Sequence, residues 1–397
     1  MSDSHAADSH RAAVRHFVDL TGYEPDGTWS APGRANLIGE HTDYNGGFVL
    51  PFAIDRRTTV ALARRDDGIL RIASTFADEV VEVPLRELAG LRDRGELRGW
   101  SAYPLGVAWA LGQAGADLTR VTGCDLQIDS DVPVGAGLSS SAAIESAVAV
   151  ALNDEWELGL SRPALARVGQ RAENEVLGAP TGIMDQSASL LGRRDAAVFL
   201  DCRSLVSEII PLGLEPAGLT ILVIDTGVQH DHATGGYRDR REACERGAET
   251  LGLHSLRDLT VDDLERARGK LDDVTFRRVR HVVTENARVL ETVRLLRESG
   301  PAAIGELLDA SHRSLRNDFE VSVPELDLAV ETAQANGAIG ARMTGGGFGG
   351  SAIALVPAAE ISRVVGSVAD AFAEHGFGAP DVFSVTPSDG ARREPHS

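Results

Sequence analysis

The chain has 397 residues, 43% hydrophobic and 25% charged, and carries a net charge of −20. Those figures predict a soluble globule of two domains, and so acidic a chain weighs against nucleic acid as a partner, because no basic face easily outweighs that charge. No apolar run approaches membrane-spanning length, and the polar start MSDSHAADSHR lacks the apolar core of a signal peptide.

In chain order, His10–Leu20 reads as a short amphipathic helix with Val14, Phe17, Val18 and Leu20 inward. Thr58–Ala63 and Ile69–Ser74 flank Asp66-Asp67-Gly68, which signals a β-hairpin. Trp100–Leu111 looks helical, and Val121–Ile128 reads as a strand leading into a turn rich in glycine and serine. A further helix starts at Ser161-Arg162-Pro163, with Ser161 as N-cap and Pro163 in the first turn, and stops at Gly178. Leu219–Asp225 reads as a buried strand and Val274–Glu298 as a long charged helix. Val323–Asn336 is another helix, feeding a strand–glycine loop–strand unit near Gly345. Without regular βα alternation, this mixture predicts an α+β fold rather than a doubly wound sheet. A domain boundary is expected near Leu200–Leu214, and disorder at both ends. Cys124, Cys202 and Cys244 are dispersed without a CxxC pair, which suits a reducing cytoplasm.

Three segments concentrate the chemistry. In Val132–Ala142, VPVGAGLSSSA, Gly135 and Gly137 let the backbone turn tightly beside a ligand. Ser139, Ser140 and Ser141 follow at a helix start, where unpaired N–H groups and the helix dipole attract a phosphate. It is not a Walker A loop, since the motif and its lysine are missing. An ordinary turn capped by serine is the bland alternative. Gly33–Ile54, GRANLIGEHTDYNGGFVLPFAI, crowds Arg34, Glu40, His41, Asp43, Tyr44 and Asn45 between apolar runs. Carboxylates beside an imidazole can hold a polyhydroxylated ligand by several hydroxyls at once. Met343–Ser351, MTGGGFGGS, has five glycines, enough to pack a loop flat against a phosphate site or to form a flexible hairpin.

With all three segments in this order, the chain resembles the GHMP kinases, a group containing galactokinase, homoserine kinase, mevalonate kinase and phosphomevalonate kinase. GRANLIGEHTDYN marks the galactokinase branch, and the resemblance runs from Tyr23 to Val385. It implies a two-domain α+β GHMP kinase fold with the active site between the domains. An N-terminal segment and helix (1–20) would precede a domain like ribosomal protein S5 domain 2 (21–205). A C-terminal α+β domain (206–390) and a tail (391–397) would follow. The implied reaction is ATP-dependent phosphorylation of α-D-galactose at its C1 hydroxyl, giving galactose 1-phosphate and ADP, the first committed step of galactose catabolism. N-acetylgalactosamine kinase and arabinokinase are the enzyme alternatives. A galactose and ATP sensor without catalysis is the non-enzyme one. Such sensors lack a Ser-Ala pair after the serine run, and this chain keeps it as Ser141-Ala142.

The resemblance also assigns roles. Within RAENEVLGAPTGIMDQSASL it implies that Glu173, with the Ser141 hydroxyl, holds Mg²⁺ between the β- and γ-phosphates. Asp185 would be the base that removes the C1 hydroxyl proton. A solvated helix face beside Glu175 is the plain alternative for Glu173. Arg34 matches the arginine that contacts this base and stabilises charge as the phosphoryl group moves, with a structural salt bridge as its alternative. Glu40, His41, Thr42, Asp43, Gly182 and Tyr237 would line the sugar, whose axial 4-OH separates galactose from glucose. Gly135, Ala136, Gly137, Leu138, Ser139, Ser140 and Ser141 would meet the nucleotide phosphates. Trp100 and Tyr103 match aromatic positions near the adenine, where plain core is the alternative, and Ser74 is a further nucleotide candidate. His230-Asp231-His232 makes a poor metal chelate. Gln229 stands where some relatives carry a basic residue, which puts an extra phosphate contact there in doubt. Galactose and MgATP are the expected partners of a cytoplasmic monomer, with no nucleic acid and no membrane.

Overall fold

Ten consecutive buried residues form the first strand, β1 (Gly27–Asn36). The computed structural model describes residues 2–229 and 233–395. β1 leads into the polar Gly39–Gly47 stretch and then into β2 (Phe48–Val49) and the long β3 (Pro51–Arg65). β4 (Ile69–Ser74), β5 (Ala77–Pro84), β6 (Gly123–Ser130), β7 (Ala196–Asp201), β8 (Val206–Pro211) and β9 (Leu219–Gln229) follow. The last strands are β10 (Gly340–Thr344), β11 (Gly349–Pro357), β12 (Asp381–Val385) and β13 (Arg392–Arg393). Among the described residues they form a six-stranded sheet ordered β13-β1-β3-β6-β4-β5, a four-stranded sheet β10-β11-β9-β12 and a three-stranded sheet β2-β7-β8. With helices between these sheets in irregular order, the fold is α+β.

The expected hairpin across Asp66-Asp67-Gly68 does not form. β6 lies between its two arms, antiparallel to β3 and parallel to β4, with Leu70 opposite Cys124. Gly123 sits where the arms part, and a Cβ there would come within 2.4 Å of the Ile69 carbonyl. A turn signal reports only local chain reversal; the inserted strand comes from far along the sequence.

The Ser2–Thr21 helix covers one face of the six-stranded sheet through Phe17, which packs on Ala61 and Ala63. Val14, Val18 and Leu20 are only half-buried, so the inward stripe is narrower than expected. On the other face the Ala102–Gln113, Ser140–Glu155 and Arg162–Glu175 helices build a core with Trp29, Leu62, Leu126 and Val148. Ser161 has the extended backbone of an N-cap but makes no side-chain cap bond, and that last helix ends at Glu175. The four-stranded sheet packs under the Pro324–Ala335 helix, joining Leu222, Met343 and Ala354 to Leu326 and Val330. Another apolar cluster spans both halves, placing Leu37, Leu50 and Phe52 with Val289, Ile353 and Leu355. Around Leu200–Leu214, where the boundary is expected, β7 and β8 pair, with Asp201 opposite Val206. The described C-terminal residues are not a disordered tail, because Arg392 and Arg393 pair with Ser30 and Trp29. No helix among the described residues is long and apolar enough to cross a membrane.

Candidate active site

The glycine and serine turn adopts the conformation its residues allow. Gly135 and Gly137 have φ of +82° and +73°, and Ser139 is held at +55° just before the Ser140–Glu155 helix. A non-glycine residue there costs roughly 1–3 kcal/mol and persists only when its surroundings enforce it. Here Arg34 enforces it, donating its backbone N–H to Leu138 O at 3.0 Å and Nη1 to Gly137 O at 2.6 Å. Ser139 does not cap the helix: its hydroxyl donates to Asp185 Oδ2, which removes the ordinary-cap alternative. Leu138 is fully buried in the core, so only its backbone can face a ligand. The second glycine loop lies flat on this turn. A Cβ at Gly345 would stand 3.1 Å from Gly137 O, and Ser351 Oγ donates to Ala136 O at 2.6 Å.

Asp185, in the first turn of the Met184–Leu191 helix, sits at the junction. Arg34 grips it with Nε to Oδ1 at 2.8 Å and Nη2 to Oδ2 at 2.9 Å. Glu173 is 8% exposed, whereas Glu175 is solvated, so the solvated-face alternative for Glu173 falls. Ser141 Oγ reaches Glu173 Oε1 at 3.2 Å, and Thr181 Oγ1 donates to Oε2 at 2.8 Å. Burial, with Asp185 nearby, raises the Glu173 carboxyl above its ordinary range. Glu145 behind it is pushed up further by burial and by Glu173. Carboxyls crowded in a poorly solvated site favour a cation.

Next to Asp185 opens a cavity of about 220 Å³ lined by Arg34, Glu40, His41, Asp43, Thr181, Gly182, Met184, Tyr237, Gly345 and Gly346. Larger hollows beside the N-terminal helix and around Asp55 and Arg194 contain none of these residues. Asp43 packs so tightly on Gly182 that a Cβ there would lie 1.9 Å from its Oδ2. Burial, with help from the Asp185 charge, lifts the Asp43 carboxyl to about 6. His41 is neutral, its pKa held down to about 3 by burial. Nε2 lies 3.2 Å from Gly346 O and Nδ1 2.8 Å from the Tyr44 hydroxyl, so the proton sits on Nε2 and Tyr44 donates to Nδ1. Tyr237 lies in the Ala233–Leu251 helix with its ring 5.2 Å from that of His41.

Two expected sugar contacts are engaged elsewhere. Thr42 is fully buried and absent from the lining; its hydroxyl faces the Gly39 and Phe48 carbonyls at 2.9 and 2.6 Å. Its hydroxyl closes the turn. Glu40 does line the cavity, but its oxygens accept from Gly345 N, Thr344 Oγ1 and Asn36 Nδ2 and pair with Arg342 Nη2 at 2.8 Å. Glu40 therefore ties the sugar segment to the glycine loop. Trp100 and Tyr103 are half-buried away from this cavity, with Trp100 edge-on to Phe76 at 5.6 Å. Trp100 Nε1 and Ser74 Oγ are buried without hydrogen-bond partners among the described residues. His230-Asp231-His232 and the Gln229 side chain lie outside the described residues. Sequence reasoning passed over Arg342, Thr181, Gln186 and Glu145. For Arg342 the signal was a lone charge inside the apolar approach to the glycine loop.

The galactokinase galactose-binding signature matches residues 15–64, the GHMP kinase N-terminal domain 102–193 and the GHMP kinase C-terminal domain 292–374. Galactokinase of Streptomyces coelicolor is 53% identical, covering 95% of this chain and 96% of its own. That of Mycobacterium tuberculosis (strain H37Rv) is 42% identical over 92% and 98%. Lactococcus lactis galactokinase, solved with galactose, superposes with a TM-score of 0.90 at 32% identity, covering 96% and 99%. Methanococcus jannaschii mevalonate kinase, at 17% identity and a TM-score of 0.66, shares the fold. With its carboxylates, its two glycine loops and its full-length likeness to these enzymes, the chain belongs to the galactokinases of the GHMP kinase family.

Proposed function

We propose that this chain performs the galactokinase reaction with Asp185 as base. ATP and α-D-galactose give galactose 1-phosphate and ADP. The galactose C1 oxygen forms a bond to the γ-phosphorus as the bond from that phosphorus to the ADP oxygen breaks, and Asp185 takes the C1 hydroxyl proton. Phosphoryl transfer has a loose transition state, so catalysis is mostly alignment and charge neutralisation. The observation that carries this reading is the position of Asp185, bonded to Arg34 and Ser139 where the phosphate loop meets the cavity. Arg34 keeps the base aimed and supports the Gly137 carbonyl of the loop.

Asp43, His41, Gly182 and Tyr237 shape the sugar side of this reading, and Glu40 holds the wall they share with Gly345. Residues 135–141 present their backbone to the phosphates, with Trp100, Tyr103 and Ser74 toward the base. The donor set fits Mg²⁺: a buried carboxylate and a hydroxyl, both oxygen ligands, 3.2 Å apart. Glu173 and Ser141 would hold it, and bound there it would neutralise charge on the phosphate oxygens. The separate six- and four-stranded sheets support domains over 21–205 and 206–390. A cytoplasmic location belongs to the same proposal, and the three free cysteines suit it. So does a monomeric state, which sedimentation tests.

A coupled ADP-release assay across galactose, N-acetylgalactosamine, arabinose, glucose and homoserine tests the activity. Galactose should be turned over fastest; a preference for any other acceptor overturns the assignment.

A further inference from the structure

The reaction uses Glu173 and Asp185 and leaves another buried carboxyl, Glu145, without a task. Glu145 lies four residues after Ser141 on the Ser140–Glu155 helix, so the two share a face. Gln186 follows Asp185 on the Met184–Leu191 helix, and both Glu145 and Gln186 are completely buried. The Gln186 amide nitrogen donates to Glu145 Oε2 and to Glu173 Oε2, each at 2.9 Å. One NH₂ group thereby ties carboxyls from two other helices together. Gly169, four residues before Glu173, leaves the room: a Cβ there would stand 2.8 Å from Gln186 Cγ.

The two oxygens of Glu173 face different surroundings. Oε2 is held from behind by Gln186 and Thr181, whereas Oε1 meets Ser141 at the phosphate loop. We propose that Gln186, backed by Glu145, is a positioning residue that locks the Glu173 carboxylate with Oε1 turned toward Ser141 and the phosphates. The proposal rests on the reading of Glu173 as a cation ligand. A terminal carboxylate torsion is broad and two-fold, so without this brace the side chain would sample orientations that point its oxygens elsewhere. Groups behind metal ligands act this way, and their loss costs about 10–100-fold in metal affinity. Glu145 Oε1 and Gln186 Oε1 have no hydrogen-bond partner among the described residues. A glutamine at position 145 keeps an oxygen that can accept from the Gln186 amide nitrogen, so it should preserve the brace.

The test measures Mn²⁺ affinity by electron paramagnetic resonance on the full chain with a non-hydrolysable ATP analogue, and galactose affinity separately without nucleotide. Gln186→Met, nearly isosteric, should weaken Mn²⁺ by about 10–100-fold and leave galactose affinity within about twofold. Glu145→Ala should follow it, and Glu145→Gln should restore near-parental Mn²⁺ binding. Unchanged Mn²⁺ affinity in Gln186→Met overturns the proposal, as does an equal loss of galactose affinity, which would mark general damage. Glu173→Ala separates the two ways to fail. If it too leaves Mn²⁺ unchanged, the cation reading itself is wrong; if it weakens Mn²⁺ and Gln186→Met does not, only the brace is wrong.

Discussion

Arg34 and Asp185 meet fork to fork, Nε to Oδ1 at 2.8 Å and Nη2 to Oδ2 at 2.9 Å, while the third guanidinium nitrogen holds the Gly137 carbonyl at 2.6 Å. One side chain from β1 thus fixes both a carboxylate on the Met184–Leu191 helix and the turn at 135–141. Only a planar guanidinium spans three acceptors in this way. The arginine is 6% exposed and the aspartate 26%, so the carboxylate is the half that faces the cavity. A structural salt bridge and a catalytic pair are therefore not competing descriptions of Arg34.

Asp185→Asn keeps the shape and loses the proton acceptor. Turnover should fall by about 10²–10⁴-fold, while galactose affinity, read by equilibrium titration, stays within a few-fold. Near-parental kcat would show that Asp185 is not the base.

Glu173→Ala removes the buried carboxylate beside Ser141. The Mg²⁺ concentration for half-maximal rate should rise by about tenfold or more, with galactose binding nearly unchanged. A Mg²⁺ titration that superposes on the parent would leave Glu173 a structural group.

Asp43 lines the cavity, pressed on Gly182, with the Tyr44 backbone hydrogen-bonded to its carboxyl; we expect it to meet the sugar there. An equatorial 4-OH would strand its carboxylate, and a stranded buried acceptor costs roughly 1–3 kcal/mol, more when charged. Rejection of glucose by about a hundredfold follows. In Asp43→Ala the galactose-to-glucose ratio of kcat/KM should narrow as both values fall. A ratio that does not move would mean Asp43 does not read the 4-position.

The same carboxyl, lifted to about 6 by burial and Asp185, predicts a pH dependence. Below that value it is protonated and no longer a charged acceptor, so galactose KM should rise as pH falls through about 6. Asp43→Asn should flatten that inflection, which KM profiles from pH 5 to 8 would reveal. For stability the sign is opposite. A folded pKa above the unfolded value means the folded chain holds the proton more tightly, so this group's contribution is full near pH 4 and lost as pH rises through about 6.

Arg342 is fully buried, 2.8 Å from Glu40 and hydrogen-bonded to Asn36 O at 3.0 Å. Removing one partner of a buried pair costs about 3–5 kcal/mol. Arg342→Leu should lower unfolding free energy by that amount in urea titrations, and it should raise galactose KM because the sugar segment loses its tie to β10. A loss under about 1 kcal/mol would show that the pair is relaxed by solvent.

Local patterns determined much of this molecule. Helical period placed Val274–Glu298 within one residue of the observed Asp273–Glu298, and the apolar run at Leu219–Asp225 lies inside β9. Glycines needing positive φ and a serine run at a helix start are also local, so the turn at 135–141 was legible, as was the polar stretch at 39–47 by its residue types. Tertiary structure decided which of those groups are still available. His41 and Glu40 bind Gly346 and Gly345, 305 positions away, and Ser139 turns from its own helix to Asp185. The hairpin at Asp66-Asp67-Gly68 opened for the same reason, since β6 pairs with both arms from outside the local window. Periodicity and turn chemistry act over a few residues and are written in the order of the chain. Hydrogen-bond partners, burial and shifted carboxyls arise only when packing brings distant residues into one dry space.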